Sequence, residues 1–113
     1  MDNSTDHPLE ITTDDLVRMR ANPDLLLLDC RRPDEHAIAQ IEGSLLIPMQ
    51  EIAERLAEIE DWRQKPLVVH CHHGMRSLRV VEFLREKGFS TAQSLTGGID
   101  AWSLEVDADV PRY

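Results

Sequence analysis

The chain predicts an α/β fold, a five-stranded, mostly parallel sheet with helices on both faces. Three observations lead there. The runs Leu25 to Cys30 and Leu67 to His70 are continuously apolar up to their last residues, as in strands buried on both faces. Segments with apolar residues at helical spacing fall between such runs. Turn residues such as Asn22-Pro23-Asp24 separate the two kinds of segment. Strands alternating with helices imply crossover connections and parallel pairing.

Residues 1–8 are mostly polar and are expected to form a disordered tail. Leu9-Glu10-Ile11 reads as a short first strand. Thr12 or Thr13 caps a helix to about Arg20, with Asp14 and Asp15 in its first turn. Leu25 to Cys30 is the second strand. Pro33 opens a short helix to Ile38, where its missing N–H costs nothing. Ser44 to Ile47 is the third strand. Ile52, Ala53, Leu56 and Ile59 form a helical stripe within 50–59. Leu67 to His70 is the fourth strand, and Leu78 to Gly88 a helix closed by its glycine. Ala92 to Leu95 is the fifth strand, and Gly97-Gly98 opens a last helical turn through Trp102. One domain over 9–105 is expected, with 106–113 a C-terminal tail; 113 residues suffice for one core.

The balance of 12 Lys and Arg against 21 Asp and Glu gives a net charge of −9, which disfavours nucleic acid and anionic membrane as partners. No apolar stretch is long enough to span a bilayer, and the polar start is unlike a secretory signal. The two cysteines, Cys30 and Cys71, form no CxxC or metal-ligand spacing. A cytoplasmic monomer with free thiols is expected, its acidity serving solubility or a basic protein partner.

The most informative stretch is His70-Cys71-His72-His73-Gly74-Met75-Arg76-Ser77. Cys71 sits where a strand ends and a helix begins, at the carboxyl edge of the sheet where α/β sites gather. Backbone N–H groups converge there and the helix dipole favours negative charge. A thiol so placed tends towards the nucleophilic thiolate. Gly74 lets the loop curl so that its amides face inward. Arg76 supplies fixed positive charge, to grip an anionic substrate, steady the thiolate or brace the loop through carboxylates. Ser77 is expected to cap the following helix, with donation to Cys71 the alternative. His72, His73 and Met75 are expected to line the mouth. Asp29, at the end of the second strand, is a candidate partner for Arg76, and Arg31 for Glu35 or another acidic group. Cys30 is expected in the core, and Trp102 as a core anchor.

These residues resemble the single-domain rhodanese family of sulfurtransferases. Asp29 to Glu35 is similar to the family's D-x-R-x-P-x-E segment, and Cys71 to Ser77 to its C-x-x-G-x-R-S loop. Gln40 to Ser44 with Ile47-Pro48 resembles G-H-I-P-G-A…I-P, although Ala39 and Gln40 replace the leading Gly and His. Gly88-Phe89 and Leu95 to Trp102 resemble the G-F and L-x-G-G-x-x-A-W ending. The resemblance covers about 9–103. It implies a rhodanese-like five-stranded sheet and a persulfide on Cys71, formed from a small-molecule donor such as thiosulfate. Cyanide, a small thiol or a protein sulfur acceptor then takes the sulfur. The family's Asp29 and Arg31 positions imply organising roles. No metal or other cofactor is implied.

Three rivals differ in simple ways. Tyrosine-type phosphatases, some of this fold, place five residues between Cys and Arg; here four stand there, His72 to Met75, a ring better suited to one sulfur than to phosphate or arsenate. Docking modules of the family lack the cysteine, which is present here. A sulfur-relay carrier uses the same persulfide and stays open. A metal centre at His70 to His73 would need four adjacent residues to converge on one ion.

Overall fold

The computed structural model describes residues 7–113. Most of the expected disordered tail, residues 1–6, lies outside them. His7 and Pro8 are held by their carbonyls, which accept from Arg85 Nη2 at 2.8 and 3.1 Å.

Five parallel strands lie in the order β1-β5-β4-β2-β3. They are β1 (Glu10–Ile11), β2 (Leu26–Asp29), β3 (Leu45–Leu46), β4 (Leu67–His70) and β5 (Ala92–Leu95). The α-helices are α1 (Thr13–Met19), α2 (Pro33–Ile38), α3 (Met75–Glu86) and α4 (Gly98–Glu105). Thr12 caps α1 through a capping box with Asp15. Gly88, at φ +97°, follows α3, and the Phe89 N–H reaches back to the Leu84 carbonyl.

The central strands alternate between two cores, which is why they read as continuous apolar runs. Leu26, Leu28, Leu67 and Val69 face Val80, Val81 and Leu84 of α3 together with Phe89. Leu27 and Val68 face Leu16 of α1 and Ile99 and Trp102 of α4. Each fully buried aliphatic side chain contributes about 1.5–3 kcal/mol relative to exposure. Parallel pairing puts the ends of β2 and β4 side by side, Asp29 opposite His70, and so assembles the site.

Three expectations are corrected. The helix expected over 50–59 is a pair of 3₁₀ segments, Met49–Glu51 and Ala53–Trp62, broken at Arg55 and Ile59. Leu56, Ile59 and Trp62 recur every third residue, the 3₁₀ period, and pack on the first core. Trp62 Nε1 also donates to the Asp24 carbonyl at 2.8 Å. Helix α3 begins at Met75, three residues early, and α4 runs on to Glu105. The segment 106–113 is held at Val110, which is buried in the second core and whose carbonyl accepts from Ser103 Oγ at 2.6 Å.

Candidate functional site

Cys71 follows β4 directly, and the chain turns through His72 and His73 into Gly74, the N-cap of α3. Gly74 adopts φ +107°, which aims its N–H at Cys71 Sγ, 3.0 Å away. The Ser77 N–H points at the same sulfur from 3.4 Å. A side chain at Gly74 would press on the Gly97 nitrogen at 3.2 Å. Amides aimed at one atom from a helix N-terminus favour negative charge on it.

A second helix braces the loop from outside. The Ile99 N–H donates to the Cys71 carbonyl at 2.9 Å and the Asp100 N–H to the His72 carbonyl at 3.1 Å. These first-turn donors of α4 have no partner within their own helix. The approach requires glycine at 98, where φ is +61° and a Cβ would lie 2.5 Å from both carbonyl oxygens.

Ser77 is not the cap of α3; it stands at the third helical position. Its Oγ lies 3.4 Å from Cys71 Sγ, donates to the Gly74 carbonyl at 3.2 Å and pairs with Ser94 Oγ at 2.7 Å. The Ser77 hydroxyl accepts from Cys71 Sγ and gives its proton to the Gly74 carbonyl, so the donor aimed at the sulfur is the Ser77 backbone N–H and not the hydroxyl. Met75 and His73 are exposed and His72 is half-buried.

The ion pairs differ from those expected. Asp29 pairs with Arg31, not Arg76: Arg31 Nη2 and Nε donate to its two oxygens at 2.6 and 2.9 Å, and both side chains are fully buried. Burial opposes charge on Asp29, yet bonds from Arg31 and His36 leave its carboxyl below the ordinary range. Arg31 also donates to the Ala39 carbonyl at 2.6 Å, so it ties α2 to the strand end. Arg76 instead forms a two-pronged pair with Glu35, at 2.7 and 3.0 Å. The Arg76 bonds outweigh burial and hold Glu35 down at about 2. Of the three tasks open to Arg76, bracing through a carboxylate is the one seen.

Sequence reasoning left three contributors without their roles. Glu35 lies in the D-x-R-x-P-x-E segment, where the sequence offers it, or another acidic group, to Arg31, and it pairs with Arg76. Gly98 was read as a helix start, not as a seat for the loop. Tyr113 carries no sequence signal; its hydroxyl donates to Glu35 Oε2 at 2.9 Å and accepts from Arg31 Nη1 at 2.7 Å.

Cys30 faces the first core, as expected, and burial, with Cys71 and Asp29 nearby, pushes its thiol well up. His70 is fully buried; Ser44 Oγ gives its proton to the Ile41 carbonyl and accepts from His70 Nε2 at 3.1 Å. Nδ1 then has no partner among the described residues, and burial lowers the imidazole to about 4. Among the described residues, His72, His73 and Asp100 bring ligand atoms within 4.8 Å of one another, but Asp100 is already paired with Arg112 at 2.8 Å.

The family model of the Rhodanese-like domain matches residues 12–105. The chain belongs to the rhodanese-like domain family. Among curated relatives, the adenylyltransferase and sulfurtransferase MOCS3-1 of Zea mays is 41% identical over 93 residues, 78% of this chain and 20% of that protein. The chain therefore spans about a fifth of the length of that first relative. The thiosulfate sulfurtransferase GlpE of Pseudoalteromonas translucida is 32% identical over 89 residues, covering 79% of this chain and 83% of that one. A rhodanese-related protein from Thermoplasma volcanium superposes with TM-score 0.78 at 33% identity, over 88% of this chain and 94% of the other. Among the described residues, no helix of this rhodanese-like domain is long and apolar enough to cross a membrane.

Proposed function

We propose that the domain is a sulfurtransferase that carries a sulfane sulfur as a Cys71 persulfide. The observation that carries this reading is the pair of amides, from Gly74 and Ser77, aimed at Cys71 Sγ. The thiolate attacks the outer sulfur of a donor such as thiosulfate. A new S–S bond forms, the donor's S–S bond breaks, and sulfite leaves with the electron pair. Cyanide or a thiolate then attacks the terminal sulfur and takes it, and Cys71 departs as thiolate. The persulfide is anionic, which suits the two amides aimed at Cys71 Sγ. Asp29, Arg31 and Glu35 set the neighbouring strand end and keep Arg76 in place; none is required to exchange a proton. His72, His73 and Met75 form the rim.

A second reading keeps the persulfide and delivers its sulfur to a protein thiol. It is favoured by relatives named adenylyltransferase and sulfurtransferase, in which the matched segment is a fifth of the chain. The test is thiocyanate release from thiosulfate and cyanide, beside sulfur transfer to protein thiols. The wild type should release thiocyanate and Cys71→Ser should not. Transfer to protein thiols alone selects the relay reading. Phosphate release from an aryl phosphate, with neither form of sulfur transfer, refutes both.

A further inference from the structure

The loop that holds Cys71 and the segment that carries Arg31 and Glu35 form two rims of one site, and Tyr113 joins them. On one rim its ring stacks on the His72 imidazole, with centroids 3.9 Å apart and planes 7° from parallel. His72 in turn stacks on His73. On the other rim the Tyr113 hydroxyl is bonded to both Arg31 and Glu35. Its approach is fixed by Val110, buried in the core, and by the Arg112–Asp100 pair. Cys71, the chain neighbour of His72, is only 1% exposed, with part of its surface against the first core. Tyr113 itself stays 38% exposed, so water already meets part of the ring, and the His72 stack and the two hydroxyl bonds are what hold it.

We infer that Tyr113 is a displaceable cover across the mouth of the Cys71 site and a determinant of which reagents reach the sulfur. The inference rests on the proposed use of Cys71 as a nucleophile, and it adds a size rule. A small reagent passes with a slight shift of the ring. A bulky thiol or the cysteine-bearing segment of a protein must break the stack on His72 and the two hydroxyl bonds. Such an acceptor is best served when its own contacts replace those that Tyr113 gives up.

The test is alkylation of Cys71 in the intact chain, followed at the Cys71 peptide by mass spectrometry, with iodoacetamide as the small probe and N-phenylmaleimide as the bulky one. Tyr113→Ala should speed the bulky reagent about tenfold, the factor that loss of a hydrogen bond to a charged group gives, and the small one far less. Tyr113→Phe, which keeps the stack and loses the hydroxyl bonds, should fall between Ala and wild type. Both variants should melt several degrees lower, having given up the hydroxyl bonds to Arg31 and Glu35, yet stay folded at the assay temperature. An unchanged ratio of the two rates in Tyr113→Ala overturns the inference, and so does equal acceleration of both reagents. Alkylation needs no sulfur donor. Absence of sulfur transfer in the wild type would therefore sink the proposed function while the cover is still judged by these rates.

Discussion

At the end of β4 the Cys71 sulfur meets backbone amides, at 3.0 Å from Gly74 and 3.4 Å from Ser77. At the end of β2, one strand away, Asp29, Arg31, Glu35 and Arg76 are joined by side-chain charge. The first region is shaped by what is missing: a Cβ at position 98 and a left-handed barrier at Gly74. The second is shaped by what is present, two carboxylates and two guanidinium groups that satisfy each other. The loop should therefore be intolerant of added atoms and little affected by charge. The neighbouring strand end should tolerate changes of shape better than loss of a charge, because a buried unpaired ion is costly.

The comparison breaks most sharply at Gly98. Gly98→Ala places a methyl against two backbone carbonyls that have nowhere to go. Persulfide formation should fall about 100-fold, the cost of misplacing a reacting group by about 1 Å. Stability should fall by about 2–4 kcal/mol, readable in urea. A variant with wild-type rates would mean that α4 does not seat the loop. Glu35→Gln tests the other region. It should lower stability by about 2 kcal/mol at neutral pH, because Arg76 loses its charged partner. Activity should fall much less than in Gly98→Ala.

The acid response sharpens this contrast. Glu35 is held down at about 2 from its ordinary 4.5, so its stabilisation is complete above about pH 4.5 and is lost as pH falls towards 2. Melts of the wild type over that window should drop more steeply than those of Glu35→Gln. The smallest effect belongs to His70. Its imidazole, lowered to about 4 by burial, stays neutral in the fold, whereas the unfolded chain binds a proton from about pH 6.5 downward. Its contribution is therefore full above 6.5 and is lost as pH falls towards 4. Between pH 6.5 and 5.5 the wild type should lose about 1 kcal/mol. A flat profile there would place a counter-charge at Nδ1.

The same division explains how much was legible in the sequence. Strands β4 and β5 and helix α2 fall where the apolar runs and Pro33 put them, since local pattern sets burial on both faces of the sheet. The candidate nucleophile and its glycine were readable because a strand-to-helix turn has few solutions. The ion pairs were not: the sequence offers Asp29 and Glu35 to Arg31 and Arg76 in either combination, and only the direction of each side chain decides. The helix expected over 50–59 failed because the stripe at Ile52, Leu56 and Ile59 fits 3.6 residues per turn, whereas the row that packs on the core, Leu56, Ile59 and Trp62, has a spacing of three and reaches beyond the stripe. Tyr113 was invisible because its contacts, with residues 31, 35 and 72, span 41 to 82 positions in the chain.

The most direct measurement is the mass of the Cys71 peptide after the protein is exposed to a sulfane donor under non-reducing conditions. The account predicts the addition of one sulfur atom at Cys71, none at the buried Cys30, and removal of that sulfur by an added thiol. Sulfur found on Cys30, or an unmodified Cys71 that iodoacetamide still alkylates, would contradict it.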